Sequence, residues 1–315
     1  MIADTLTSPV VLFFALGFIA ALLRSDLAVP EAVAKALSIY LMAAIGLKGG
    51  VAVADAGFTP LLGYAALAGI VLSLLLPFLA FALLQRVGRL GRIDAAAVAA
   101  HYGSVSLVTF GAASDMLAAA GVPAAGFMVA VLALMETPAI ISGLYIARRG
   151  AAGNRLRGQW RELLANGPVL LLVGAFGIGL IAGRDGFAPI SPVFESGYRG
   201  ILCLFLLDMG LVAARRIVQS RSLTARLALL AVILPLINGA IGTVLGTLIG
   251  LDVGSAAALG ILAASASYIA VPAAMRMALP EADPGIYLSM ALGITFPFNV
   301  ILGIPLFAAL AQVLS

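Results

Sequence analysis

Long apolar segments recur along almost the whole chain, and they constrain its fold more than any other feature. The hydrocarbon core of a bilayer is about 30 Å thick, so a helix that crosses it needs about 20 mostly apolar residues. Reading between charge clusters and Pro or Gly residues, we predict ten such helices, at residues 9–23, 31–52, 60–84, 94–120, 124–147, 165–183, 196–214, 223–249, 254–278 and 285–314. The sequence therefore predicts an all-α, multi-pass membrane protein.

The composition supports this interpretation and excludes several functions. The chain is 63% hydrophobic and 10% charged, with a mean hydropathy of +1.16, whereas soluble domains are about 45–50% apolar and about 25% charged. A single Cys and a single His exclude an internal disulfide and a Cys/His zinc cluster. Because basic residues in a membrane protein mostly report orientation, the net charge of +4 does not indicate a nucleic-acid partner.

The basic residues predict the orientation. If the N-terminus lies outside, 15 of the 18 basic residues flank the loops assigned to the cytoplasm, and only Lys48, Arg184 and Arg199 are left for the other face. Cytoplasmic loops of membrane proteins carry an excess of Lys and Arg. We therefore expect both termini to lie outside.

The chain also contains signs of an internal repeat. Gly46 and Gly210 share similar neighbours at an offset of 164, and Pro138 and Pro297 lie 159 apart. A unit of five spans is odd, so a second copy must enter the membrane from the opposite face, which is a common plan of secondary transporters. We predict two inverted five-helix repeats, at 1–147 and 165–315, although chance similarity of apolar sequences remains the alternative.

The predicted repeats are joined by a basic cytoplasmic linker at 148–164. Its Arg residues could dock a regulator or the headgroups of anionic lipids. The other interpretation is a topological anchor, with Trp160 at the membrane interface.

Two of the predicted spans are interrupted by small polar residues and by Gly or Pro, at 101–113 (HYGSVSLVTFGAA) and 264–276 (ASASYIAVPAAMR). Unwound backbone at membrane depth is tolerated only where it is buried in protein or lines a cavity. We predict helix breaks at 102–106 and 265–272 that cross near the midplane. The N-terminus of the following half-helix would then face an anion. Alternatively, these small residues only pack helices, with their hydroxyls bonded to their own backbone.

Few ionisable groups lie within the predicted spans, which makes each one informative. Glu136 precedes Thr137 and Pro138, and its repeat counterpart is Thr295. A carboxylate beside a Pro-kinked backbone offers oxygen ligands suited to a sodium ion. Further candidates are Asn299, Asn238, Asp208 and Asp115, while His101 is either a proton shuttle or a structural donor.

Several motifs together resemble the sodium-dependent bicarbonate transporter family, in the same order over essentially the whole chain. They are Gly46-Leu47-Lys48-Gly49-Gly50, Gly103-Ser104-Val105-Ser106, Glu136-Thr137-Pro138-Ala139, and the stretch from Ser265 to Pro272 followed by Arg276. The resemblance implies ten helices in two inverted repeats, crossed interrupted helices, core and gate domains, and a homotrimer among the lipids of a bacterial cytoplasmic membrane.

The resemblance also implies a site in which Gly103, Ser104, Val105, Ser106, Ser265, Ser267 and Tyr268 hold the anion, with sodium nearby. We add Thr109 and Ile269 to the predicted anion site. For sodium, the co-transported ion, we predict Glu136, Thr137, Thr295, Asn299 and Asp208. The expected function is sodium-coupled import of a small anion, bicarbonate first.

Two features depart from the cyanobacterial members. Tyr268 stands where they carry an acidic residue, which favours another small monocarboxylate as an alternative substrate. The central linker is shorter, which weakens the expectation of the PII-type regulatory protein that some members bind. A proton-coupled exchanger and an intramembrane hydrolase using His101 with Ser104 or Ser106 are the remaining alternatives, but catalysis does not explain a doubled repeat, so we expect no enzyme.

Overall fold

A computed structural model describes residues 7–57, 59–148, 167–219 and 222–315, and within these ranges the chain consists of helices and their connections, with no strand. The predicted linker lies outside the described residues after Arg148. The helices are α1 (Pro9–Leu22), α2 (Glu31–Ala56), α3 (Pro60–Arg86), α4 (Arg92–Gly103), α5 (Leu107–Ala119), α6 (Met128–Arg148), α7 (Gly167–Phe187), α8 (Tyr198–Gln219), α9 (Ala225–Leu248), α10 (Val253–Ala264), α11 (Ala270–Ala278) and α12 (Pro284–Leu314).

The positions of these helices agree with the hydropathy prediction to within a few residues. Each predicted segment coincides with one helix, except that the fourth is divided into α4 and α5 and the ninth into α10 and α11. In the described part of the chain, seven helical segments are long and apolar enough to cross a membrane, namely α2, α3, α4 with α5, α6, α7, α9 and α12. The protein is therefore a multi-pass membrane protein.

Polar residues that precede the apolar runs determine where several helices begin. The side chains of Ser8, Thr59 and Thr224 each accept a hydrogen bond from a backbone N–H group in the first turn of the helix that follows. In α1 and α3 a Pro follows the cap directly, where its fixed φ suits the first helical position and its missing N–H costs nothing.

Helices α1, α2, α7 and α8 form one group, in which α2 packs along α7 and α1 along α8. Gly46 allows the first contact, because a Cβ there would lie 2.7 Å from the carbonyl oxygen of Leu172. Gly210 allows the second in the same way, because a Cβ there would overlap the carbonyl oxygen of Phe14. Small residues bring membrane helices into this close contact. The two glycines that match in sequence therefore serve matching contacts in different helix pairs.

The other eight helices form a second group around the interrupted spans. Every residue at 95–106 and 254–268 is buried, so α4 and α10 run through the interior, where α3 and α6 pack beside α4, and α9 and α12 beside α10. Large apolar side chains face outward from the surrounding helices, as Leu67 on α3 and Val313 on α12 do. This arrangement keeps the two breaks inside protein and leaves an apolar exterior for lipid.

Candidate functional site

Both interrupted spans are broken where the sequence predicts. Helix α4 ends at Gly103 and α5 begins at Leu107, while α10 ends at Ala264 and α11 begins at Ala270. The first residue after each first half-helix is extended, with φ −87° and ψ 176° at Ser104 and φ −78° and ψ 161° at Ser265. Each span therefore has a stretch of backbone whose polar groups need partners outside its own helix.

The two breaks supply these partners to each other. The N–H group of Ser106 donates to Oγ of Ser265 at 2.9 Å, and the N–H group of Ser267 donates to the carbonyl oxygen of His101 at 3.0 Å. All four residues are buried. Because each break satisfies the other, the two unwound stretches are held together at one place in the protein interior.

Two buried amide side chains hold the helix ends that lead into the breaks. Asn238 on α9 donates through Nδ2 to the carbonyl oxygen of Tyr102 at 3.2 Å. Asn299 on α12 donates in the same way to the carbonyl oxygen of Ala264 at 2.9 Å. The Oδ1 atoms of both amides are buried and have no hydrogen-bond partner among the described residues. Each break thus has an unpaired amide oxygen close to its first half-helix.

The small hydroxyls act as caps on the second half-helices. Oγ of Ser106 accepts the N–H group of Thr109 at 3.2 Å, and Oγ of Ser267 accepts the N–H group of Val271 at 3.4 Å. At the start of α5, this arrangement leaves the N–H groups of Leu107 and Val108 with no partner in the described part of the chain. A helix N-terminus with spare N–H groups favours an anion.

A pocket opens beside the two breaks, with about 420 Å³ of non-atom space, part of which is open to solvent. Its polar groups come from Glu136, Ser106, Ser267 and Tyr268. The remaining wall is apolar, and it includes side chains from α2 and α7 as well as from α6 and the breaks: Met42, Val105, Leu107, Leu132, Ala133, Leu172 and Ile269. The pocket therefore lies between the two groups of helices.

Glu136 connects the pocket to both breaks. Its Oε1 atom accepts a hydrogen bond from Oγ of Ser267 at 3.3 Å, and its carbonyl oxygen accepts one from Oγ of Ser104 at 3.3 Å. The hydroxyl of Tyr268 lies close to Ser106 but makes no hydrogen bond of good geometry. The pocket thus combines one carboxyl group, an unpaired hydroxyl and the positive end of α5.

The structure divides the residues predicted to hold an anion into two sets. Val105, Ser106, Ser267, Tyr268 and Ile269 line the pocket. The others are buried behind it, where Ser265 links the breaks, Ser104 bonds to α6, Gly103 packs against Pro77 of α3, and Thr109 lies in the first turn of α5.

The residues predicted to bind sodium lie in different local environments. Of this set only Glu136 lines the pocket, and Thr137 and Asp208 do not. Thr295 donates to the carbonyl oxygen of Ala231 at 2.6 Å and shares a hydrogen bond with the hydroxyl of Tyr102 at 2.6 Å. In the described residues no cluster of three or more His, Cys, Asp or Glu side chains could hold a metal. A cation here would therefore rely on one carboxylate with amide, hydroxyl and carbonyl oxygens.

The ring of His101 is held by contacts with other residues of the protein. Its ring stacks on Tyr287 with 4.4 Å between the ring centroids, and its Nδ1 atom lies 2.7 Å from the carbonyl oxygen of Ala97. The hydroxyls of Ser104 and Ser106 bond elsewhere, so the described residues contain no Ser–His pair at the first break.

Five wall residues of the pocket are not predicted from the sequence, and two of them, Met42 on α2 and Leu172 on α7, come from the other helix group. Their packing with the breaks joins segments more than sixty residues apart. In a chain that is 63% hydrophobic, an apolar side chain carries no signal that distinguishes a pocket wall from a lipid-facing position. In the sequence, only small residues such as Gly46 indicate that α2 and α7 lie together.

Broken helices that meet inside a multi-pass helical protein, around a pocket with one carboxyl group, are characteristic of secondary membrane transporters. The family model of the Na⁺-dependent bicarbonate transporter superfamily matches residues 9–312 of the chain. The protein belongs to that superfamily, and the resemblance found in its motifs is confirmed. Comparison with individually curated proteins gives no significant match.

Proposed function

We propose that this protein is a sodium-coupled symporter that imports a small anion, bicarbonate first, across a bacterial cytoplasmic membrane. It would do so with ten membrane spans in two inverted repeats, 1–147 and 165–315, with both termini outside. The matching contacts of Gly46 and Gly210 support the repeat, since each brings the second span of its repeat against the first span of the other. The superfamily supports the sodium dependence and the substrate class.

One observation carries the proposal: the two breaks bond to each other directly beside the pocket that contains Glu136. Reciprocal bonding of unwound backbone is costly to build, and helix packing alone does not need it. At the start of α5, Leu107 lines this pocket, and its N–H group has no partner among the described residues and is available to a ligand. An anion in the pocket would accept hydrogen bonds from this N–H group and from the unpaired hydroxyl of Tyr268.

The position of Glu136 suggests how sodium and the anion are coupled. An ionised carboxylate in the pocket repels an anion in the same space, and this repulsion is strong where water is excluded. A sodium ion at the carboxylate removes the repulsion. Each ligand then raises the affinity for the other by the same factor, because coupling between binding sites is reciprocal. The unpaired oxygens of Asn238 and Asn299 are further ligands suited to sodium.

Alternating access would follow from movement between the two helix groups. The pocket wall combines Met42 and Leu172 from one group with the breaks from the other. Sliding of one group against the other would therefore open or close the wall while leaving the bonds between the breaks intact. By analogy with the superfamily, we expect the protein to be a homotrimer.

A second candidate substrate is another small monocarboxylate. Most of the pocket wall is apolar, with Leu132, Leu172 and Met42 beside the ring of Tyr268. Such a wall suits the short hydrocarbon part of acetate or lactate better than the fully polar bicarbonate ion.

Uptake of radiolabelled bicarbonate into proteoliposomes tests the proposal. We expect accumulation with an inward sodium gradient, little with potassium in its place, and loss in the Ser104→Ala and Glu136→Ala variants. Accumulation of acetate or lactate, and not of bicarbonate, would favour the second candidate. The absence of any effect of sodium would contradict the proposed coupling.

A further inference from the structure

A second and larger cavity lies at one end of the molecule, with about 920 Å³ of non-atom space, part of which is open to solvent. It lies where α2 and α5 end and α6 and α8 begin, on the face that the charge distribution predicts to be outside. Its lining includes the charged side chains of Lys48 and Asp115 and the ring of Tyr198.

Lys48 places a cation in the cavity, and this cation has no anionic partner in the part of the chain that the structure describes. Nζ of Lys48 lies 5.0 Å from the centroid of the Tyr198 ring, and Lys48 forms no ion pair with any residue that the structure describes. The carboxylate of Asp115 is already paired with Arg199. A contact between an exposed ammonium group and an aromatic face is weak. Lys48 therefore presents a positive charge that a soluble anion can bind.

This cavity lies directly above the pocket that contains Glu136. Three helices line both, and on each helix the residues that line the two cavities are three positions apart, which corresponds to a rise of about 4.5 Å. The pairs are Met42 and Ile45 on α2, Leu107 and Phe110 on α5, and Leu132 and Val129 on α6. All but Leu107 are buried. A layer of apolar side chains about one helical turn thick is therefore all that separates the two cavities.

We propose that the larger cavity is an outer vestibule in which the transported anion first binds to Lys48, before it crosses the apolar layer to the inner pocket. The proposal rests on the proposed function for the identity of the anion and for its passage to the inner pocket. Lys48 raises the local concentration of anions at the entrance, and the layer between Ile45 and Met42 keeps the two cavities apart until the helix groups move. Lys48 is thus an affinity determinant outside the inner site.

The first test is chemical labelling, because the sequence offers an internal control. It has two lysines, Lys48 and Lys35, and both are exposed. The purified protein is acetylated with an amine-reactive reagent in sodium gluconate, sodium bicarbonate or sodium formate at equal ionic strength, and modification is followed by mass spectrometry. We expect bicarbonate and formate to slow the labelling of Lys48 at least about threefold and to leave Lys35 unchanged.

Equal slowing at both lysines, or at neither, would overturn the proposal. So would protection by bicarbonate without protection by formate, because the CO₂ in equilibrium with bicarbonate can block the amine as a carbamate without any anion binding.

The second test is transport by charge variants in proteoliposomes. Loss of a charged partner costs about tenfold in affinity at a partly exposed site, so Lys48→Gln should raise the KM for the anion about tenfold and leave the maximal rate unchanged. Lys48→Arg keeps the charge and should stay within about twofold of wild type, and Lys35→Gln is the matched control. A fall in maximal rate at unchanged KM in Lys48→Gln would contradict the vestibule. If the wild-type protein moves no anion with sodium, the proposed function fails, while the labelling of Lys48 still decides whether the cavity binds anions.

Discussion

Replacing Ser265 by Ala removes one of the two acceptors that join the two breaks. The N–H group of Ser106, which donates to this hydroxyl at 2.9 Å, is then buried without a partner. The carbonyl oxygen of Leu262 loses one hydrogen bond from the same hydroxyl at 2.8 Å, but it keeps another from the N–H group of residue 265 at 3.2 Å. The cost is therefore that of one unsatisfied buried donor, about 1–3 kcal/mol.

Ser289→Ala is the matched control for this prediction. Both serines are 1% exposed, and both substitutions remove a single hydroxyl. The hydroxyl of Ser289 has no hydrogen-bond partner among the described residues. Its removal therefore breaks no bond and relieves the burial of an unpaired polar group, so Ser289→Ala should be neutral or slightly stabilising.

The single cysteine provides the assay. Cys203 is 8% exposed on α8, so a thiol-reactive dye reacts with it when the helices separate on heating in detergent. For a chain of this length, a loss of 1–3 kcal/mol corresponds to a fall in Tm of about 1.5–4.5 °C, which we expect for Ser265→Ala. Equal falls in both variants, or an unchanged Tm in Ser265→Ala, would refute the view that the breaks stabilise each other.

Three further predictions use the same or similar measurements. Gly46→Ala should lower the Tm because a Cβ there meets the backbone of α7 at 2.7 Å. Gly63 has open space around it, so Gly63→Ala should be neutral or stabilising by up to about 1 kcal/mol. Equal effects of the two variants on the Tm would contradict the packing of α2 on α7. Thr295→Val should destabilise the protein more than Tyr102→Phe. The first substitution leaves a buried phenol unpaired, while the second leaves the Thr295 hydroxyl bonded to Ala231. A lower Tm for Tyr102→Phe than for Thr295→Val would contradict this prediction. Glu136→Gln keeps an acceptor for Ser267 but loses the negative charge. The sodium concentration for half-maximal uptake should therefore rise at least about tenfold. An unchanged concentration would exclude the carboxylate as a sodium ligand.

Most of the fold follows from hydropathy and from helix-breaking residues. A run of about 20 apolar residues has few alternatives to a helix in a bilayer, so the helix positions are predicted well. The breaks are predicted because Ser, Gly and Pro inside an apolar run are local signals. Gly46 and Gly210 could be matched from sequence for a similar reason, since a close helix contact requires the smallest residue.

The residues of the inner pocket can be predicted from the sequence only in part. Hydroxyls and carboxyls stand out in an apolar chain, which is why Ser106, Ser267 and Glu136 were predicted. Sequence position does not tell a hydroxyl that lines the pocket from one that is already bonded, as Thr295 is to Ala231. That distinction depends on which helices cross, and hence on contacts between residues far apart in sequence.

The central claim is that sodium and the anion bind together where the broken helices meet. Binding of radiolabelled bicarbonate to the purified protein, measured in sodium and in N-methylglucamine for wild type and Glu136→Gln, tests it most directly. We predict that wild-type protein binds bicarbonate with an affinity at least about fivefold higher in sodium than in N-methylglucamine. For Glu136→Gln we predict the same affinity in both cations. Equal affinities in the two cations for the wild-type protein would contradict it.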